Sequence, residues 1–156
     1  MRNRNKGFSL IELLIVVAII LIIAAIAIPN LLRSRMAANE ASAVGSLRTI
    51  NTACVTYSTT YGIGFPSALA SMGTSGAVSS TGAQLIDNVL AAGAKSGYTF
   101  TYTAGAAAGG VIPTYAVNAD PITPGQTGQR YFFTDQSGVI RFNTSAQASA
   151  SDSPLQ

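Results

Sequence analysis

Residues 6–29 read KGFSLIELLIVVAIILIIAAIAIP, and from Phe8 to Ile28 only Ser9 and Glu12 interrupt twenty-one otherwise apolar positions. At about 1.5 Å per helical residue, such a run covers roughly the 30 Å hydrocarbon core of a bilayer. A membrane-spanning helix is expected. Glu12 is the anomaly, because a carboxylate inside such a run costs about 2.5–3.5 kcal/mol even on lenient insertion scales. Its place in the first turns of the helix, where the macrodipole favours negative charge, returns only about 0.3–1 kcal/mol. A plain signal-anchor helix would need Glu12 to stay wet at the interface. Otherwise some function must answer for the carboxylate.

Upstream, residues 1–7 (MRNRNKG) hold three of the nine basic side chains, while all six acids, Glu12, Glu40, Asp87, Asp120, Asp135 and Asp152, follow Gly7. Beyond Gly7 six basic side chains face six acidic ones, so no basic nucleic-acid footprint remains. Basic residues before an apolar segment instead set orientation, with the N-terminus cytoplasmic and everything past Pro29 outside. An ordinary secretory signal places a small-residue cleavage site after its apolar core. Here the small residue, Gly7, precedes it. A peptidase acting there would remove only the charged tag and leave the helix in place.

Taken together, Gly7, the hydrophobic Phe8, Glu12 four residues on, the long apolar run and Pro29 resemble the N-terminal motif of type IV pilins and the related type II secretion pseudopilins. The resemblance implies cleavage between Gly7 and Phe8 by a prepilin peptidase, N-methylation of Phe8 and assembly into a filament. It also suggests an answer for Glu12: the ammonium freed at Phe8 of an incoming subunit could pair with a neighbour's carboxylate, and a paired buried charge is tolerated where an unpaired one is not.

Pro29 lacks an N–H and conflicts with the carbonyl of Ala25, which predicts a kink or local loosening. Helical periodicity nevertheless continues past it. Ala37, Ala41, Val44, Leu47, Ile50, Cys54, Tyr57 and Tyr61 recur at spacings of three and four, with Arg33, Arg35, Asn39, Glu40, Ser46, Arg48, Asn51 and Thr52 largely off that stripe. One long helix over about 9–60, bent near Pro29, is expected. Cys54, the only cysteine, lies on the stripe and reads as a small buried apolar residue, the competing reading being a reactive or intermolecular thiol.

Residues 62–97 resemble the variable αβ-loop of pilins: a Gly/Ser/Ala-rich stretch with a turn of helix at 67–72, then a short helix in GAQLIDNVLAAG. In that helix Leu85, Ile86, Val89 and Leu90 share a face, Thr81 or Gly82 begins it and Gly93 caps it. From Tyr98 the period becomes two. YTFTYT, a stretch around 114–118, RYFFT and GVIRF predict about four antiparallel strands over 98–143. The last two form a hairpin across Asp135 to Gly138, where glycine can take the positive φ of a bulged turn. Residues 144–156 read as a loose polar tail. The fold class is therefore α+β, a long N-terminal helix packed on a C-terminal antiparallel sheet. The segments are leader (1–7), membrane or filament-core helix (8–29), amphipathic helix (30–61), loop (62–97), sheet (98–143) and tail (144–156).

The sequence has no histidine, hence no Ser-His-Asp arrangement, and carries neither an acid cluster nor a Gly-rich phosphate motif. No enzyme, cofactor or metal is expected. Eight of the twelve aromatic residues fall in the predicted strands, where packing explains them. Asp120 and Asp135 are placed in loops that could approach one another around a calcium ion, as in calcium-binding pseudopilins, although turn formation is the better reading for both. Arg33, Arg35 and Arg48 read as surface or interface charges, the first two suited to lipid headgroups.

The expected function is thus a structural subunit of a type IV pilus-like filament, exported as a single-pass inner-membrane precursor and displayed at the cell surface. Its implied partners are identical or related pilin subunits, the prepilin peptidase and N-methyltransferase, an inner-membrane assembly platform and, before assembly, membrane lipid. The alternatives are a pseudopilin of a periplasmic secretion pseudopilus and, in another class, a membrane-anchored extracytoplasmic binding module.

Overall fold

The computed structural model describes residues 7–155. Helix α1 (Leu10–Tyr61) runs without interruption through Pro29. Its residues up to Arg35 belong to one compact unit, and those from Met36 belong to a second that contains the rest of the chain. In the first unit, the apolar side chains from Leu10 to Leu31 lie on the surface. Their all-round apolar pattern is that of a helix made for a non-aqueous setting.

In the second unit α1 is amphipathic. Ala43, Val44, Leu47, Ile50, Ala53, Cys54 and Tyr57 are buried, whereas Ala37 and Ala41, the upper members of the expected stripe, are exposed. On the outer face Thr49, Thr52, Thr56 and Thr59 each return a hydroxyl hydrogen bond to the carbonyl four residues back. That is how a β-branched polar residue settles in an exposed helix.

After α1 come a 3₁₀ turn (Leu69–Met72) and a second helix, α2 (Asn88–Ala91). The helix expected from residue 82 is only this one turn. The backbone N–H groups of Ala83, Gln84, Leu85 and Ile86 are committed to the carbonyls of Ser71, Gly73 and Met72, and Gln84 sits at φ 55°. Asp87 caps the turn, accepting from the Leu90 N–H at 2.9 Å, and Gly93 follows it at φ 81°. Ile86 and Leu90 are buried, but Val89, expected on the same face, is 58% exposed.

The sheet is an antiparallel meander of six strands in sequence order: β1 (Ala94–Lys95), β2 (Tyr98–Ala104), β3 (Tyr115–Pro121), β4 (Tyr131–Asp135), β5 (Arg141–Asn143) and β6 (Ser153–Pro154). The four expected strands are β2–β5. The two extra ones are two-residue edges, too short for alternation to reveal. β1 joins β2 through Ser96-Gly97, both at positive φ, the conformation of a tight two-residue hairpin turn. The β4–β5 turn has Gly138 at φ 73°, as expected.

Registers Phe100↔Ala119, Ala119↔Phe132 and Phe132↔Phe142 line up one face across four strands. That face joins Ala43, Leu47, Ile50, Cys54, Leu69, Met72 and Leu90 in a single apolar cluster. Gly128 is forced by this packing, since a Cβ there would run into the Tyr98 ring. Cys54 is fully buried, its sulfur 3.8 Å from that of Met72, and burial pushes its thiol pKa up to about 12.

Polar side chains lock the register of helix on sheet. Glu40, expected off the stripe, is only 8% exposed. Its Oε1 accepts from the backbone N–H groups of Gln129 (2.8 Å) and Arg130 (3.1 Å), and its Oε2 pairs with Arg130 Nε at 2.7 Å. The Arg130 guanidinium lies over the rings of Phe132 and Phe142. Asn39 donates to the Thr127 carbonyl at 2.8 Å. Asn51 Nδ2 donates to Thr134 Oγ1 (2.9 Å) and its Oδ1 accepts from the Tyr115 hydroxyl (3.0 Å).

Residues 144–155 are not the loose tail that their composition suggests. Ala148 is buried, and β6 pairs with β5.

Leu47→Ala should cost about 2–5 kcal/mol, the range for removing a buried leucine side chain, and denaturant melts of the detergent-solubilised chain would measure it. Burial would raise the Glu40 carboxyl pKa, but the Gln129 N–H and the Arg130 contacts outweigh it and hold it below 4.5. The clamp's contribution is therefore full above about pH 4.5 and is lost as pH falls through the lower native value. Glu40→Ala should cost about 1–3 kcal/mol at neutral pH, since it strands two N–H groups, and should flatten the dependence of Tm on pH below 4.5. Cys54 should resist a thiol reagent at pH 8 until denaturant is added; rapid labelling of the native chain would contradict its burial.

Candidate assembly segment

Helix α1 begins with a side-chain cap that the residues Ser9-Leu10-Ile11-Glu12 encode. Ser9 precedes the first helical residue, and its backbone N–H donates to Glu12 Oε2 at 2.9 Å. This is half of the S-x-x-E capping box, in which a glutamate three residues into the helix satisfies an N-terminal donor. Glu12 thus has a partner within its own chain. The S-x-x-E motif spells this cap in four contiguous residues.

Around this cap the surface is open. Phe8 is 83% exposed, none of the described residues lies within 4 Å of where a Gly7 side chain would be, and Phe8, Glu12, Ile15 and Val16 line a shallow groove. Residues 1–6, expected as the rest of the leader, lie outside those described. Among the described residues, α1 is the helix long and apolar enough to cross a membrane, by length and composition. Pro29 sits within it, and the Ser34 hydroxyl bonds to the Asn30 carbonyl in the following turn.

The other sequence candidates do not converge. Asp120 lies within β3 and Asp135 ends β4, so neither is in a loop. Because Asp135 pairs with Ala116, the two carboxylates stand at opposite ends of β3, four residues or about 13 Å apart along the strand. Asp120 Oδ2 accepts from Gln147 Nε2 at 2.7 Å, while its buried Oδ1 has no hydrogen-bond partner. Arg33, Arg35 and Arg48 are exposed. The aromatic side chains pack locally, Tyr102 stacked on Tyr115 with centroids 5.7 Å apart and Phe65 edge-on to Tyr115 at 4.7 Å.

Residues 2–28 match the family described as the prokaryotic N-terminal methylation motif. The type IV major fimbrial protein FimA of Dichelobacter nodosus is 34% identical over 139 residues, an alignment covering 81% of this chain and 81% of that protein. Two shorter matches are confined to part of the chain. The type IV wide pilus major component PilA4 of Thermus thermophilus is 68% identical over 40 residues, 26% of this chain and 30% of that protein. The type IV major pilin protein PilA of Myxococcus xanthus is 52% identical over 50 residues, 32% and 23% respectively. Both alignments span less than a third of those relatives' lengths. With the methylation motif at its start, an uncovered apolar helix, an antiparallel sheet head and a similarity to FimA that runs through most of both proteins, this chain belongs to the type IV pilin family.

Proposed function

We propose that the chain is a structural subunit of a type IV pilus filament, made as a membrane-anchored precursor, cut between Gly7 and Phe8 by a prepilin peptidase and N-methylated at Phe8. The observation that carries this reading is the apolar part of α1, whose Leu, Ile and Val side chains are uncovered in the isolated chain. Each such side chain gains about 1.5–3 kcal/mol on full burial. Lipid supplies that burial before assembly, and the same helices of related subunits supply it in the filament. The names of the three relatives, all major pilus or fimbrial components, favour a surface pilus as the destination.

Cleavage changes the electrostatics at the head of the helix. It removes the basic residues Arg2, Arg4 and Lys6 and leaves one ammonium at Phe8. That cation is the partner for Glu12 of a neighbouring subunit. Glu12 is suited to it, since one carboxylate oxygen holds the Ser9 N–H while the other has no hydrogen-bond partner among the described residues. Pro29, which has no N–H to offer the Ala25 carbonyl, provides a place where the helix can loosen between lipid and polymer.

Expression with and without a prepilin peptidase tests the processing. The N-terminus should move to a methylated Phe8 only when the enzyme is present, and an unaltered N-terminus in both strains would refute it. Glu12→Ala should still insert in the membrane but lose filament yield. Losing a paired buried charge is worth about 3 kcal/mol per contact, roughly a hundredfold in association, and normal yield of sheared filaments would remove Glu12 from assembly.

A further inference from the structure

Residues 144–155 are small and polar, yet they are bound to the sheet along their length. Asp152 is the centre of that binding. Its Oδ2 accepts from the Ser149 N–H (2.7 Å) and hydroxyl (2.9 Å), and its Oδ1 accepts from Asn143 Nδ2 (2.9 Å). Its backbone carbonyl accepts from Arg141 Nη1 at 2.9 Å. Directly after it, Ser153 and Pro154 pair with Phe142 and Arg141, and the Leu155 N–H donates to the Ile140 carbonyl at 2.8 Å. Farther back, Asn118 Nδ2 donates to the Ala148 carbonyl, and Gln147 donates to Asp120.

This arrangement closes a sheet edge. β5 pairs with β4 on one side, so without β6 its other side would present unpaired backbone groups, a template for adventitious strand pairing. Pro154 at the outermost position has no N–H to extend the ladder. The segment buries little apolar surface, chiefly Ala148 with the partly buried Leu155, so its closure rests on polar contacts.

We infer that residues 144–155 form a strap locked onto the β5 edge by the Asp152 carboxylate, and that losing that charge opens the strap while β2–β4 stay folded. The charged group facing Asp152 is Arg141 on β5; Asp120 on β3 reaches the strap only through Gln147. The hydrogen bonds from the Ser149 N–H and hydroxyl, with help from Asn143 and Arg141, hold the Asp152 carboxyl below its ordinary 3.8. The lock is therefore complete above about pH 3.8 and is lost as pH falls through the lower native value.

Hydrogen exchange of the full chain in detergent micelles tests this, with rates expressed relative to the free peptide at the same pH. In Asp152→Asn at pH 7, protection of the Ser149 and Leu155 amides should fall by about tenfold or more, while β2–β3 amides keep theirs. Wild-type chain should show the same local loss on acidification below pH 3.8, and the variant no further step. Strap protection in the variant within about twofold of wild type would overturn the inference. If the variant fails to fold, the wild-type acid titration decides alone: strap loss ahead of β2–β3 supports the lock, and simultaneous loss overturns it.

Discussion

The rest of this molecule depends on how one helix satisfies its side chains in two different ways. An α-helix hydrogen-bonds its own backbone, so α1 can pass through a setting without water as readily as it can lie on a sheet. Only its side chains distinguish the two. From Leu10 to Ile28 they are apolar on every face apart from Glu12, and the chain provides no cover for them. From Met36 onward they are apolar on one stripe, and from Ala43 to Tyr57 that stripe is buried in a single cluster with residues of the sheet, the 3₁₀ turn and α2. The uncovered part is the surface that the proposed burial in lipid or among other copies would cover, and the covered part belongs to the compact unit from Met36 onward.

The head is held by apolar burial and positioned by polar contacts at its margins. With a single, buried cysteine, no disulfide within the chain can close the sheet. Asn39 and Glu40 at one level of α1 and Asn51 at another instead tie it to the β3–β4 region. A smooth stripe of Ala, Leu and Ile could slide along an apolar sheet face at little cost. A carboxylate that must meet two particular N–H groups cannot, because a misplaced helix would bury it unpaired. The same logic recurs at β5, where Asp152 gathers a segment that has almost no apolar surface with which to hold itself down.

Much of this was legible in the residues. The apolar run, the period of two in YTFTYT and the Gly138 turn each encode an element within a few neighbouring positions, and each appears where its pattern places it. The S-x-x-E cap was equally local. Other readings failed where local pattern met a distant competitor. The helix expected from residue 82 shrank because Ser71, Met72 and Gly73 took its N–H groups. Glu40 looked like a solvated face residue because its partners lie 89 and 90 residues away. Asp120 and Asp135, placed by the sequence in loops that could approach one another, lie in strands, and the β3–β4 register puts them at opposite ends of β3.

What the sequence determined by itself is therefore everything that repeats at the helical or strand period or is spelled in a contiguous motif: the long helix, its two characters, the antiparallel strands and the match to the N-terminal methylation motif at its start. The tertiary structure alone decided which lone polar groups found each other. Periodicity says which face of an element is buried, but a single carboxylate such as Glu40 or Asp152 has no period. Its role depends on where the folded chain places the donors of another segment.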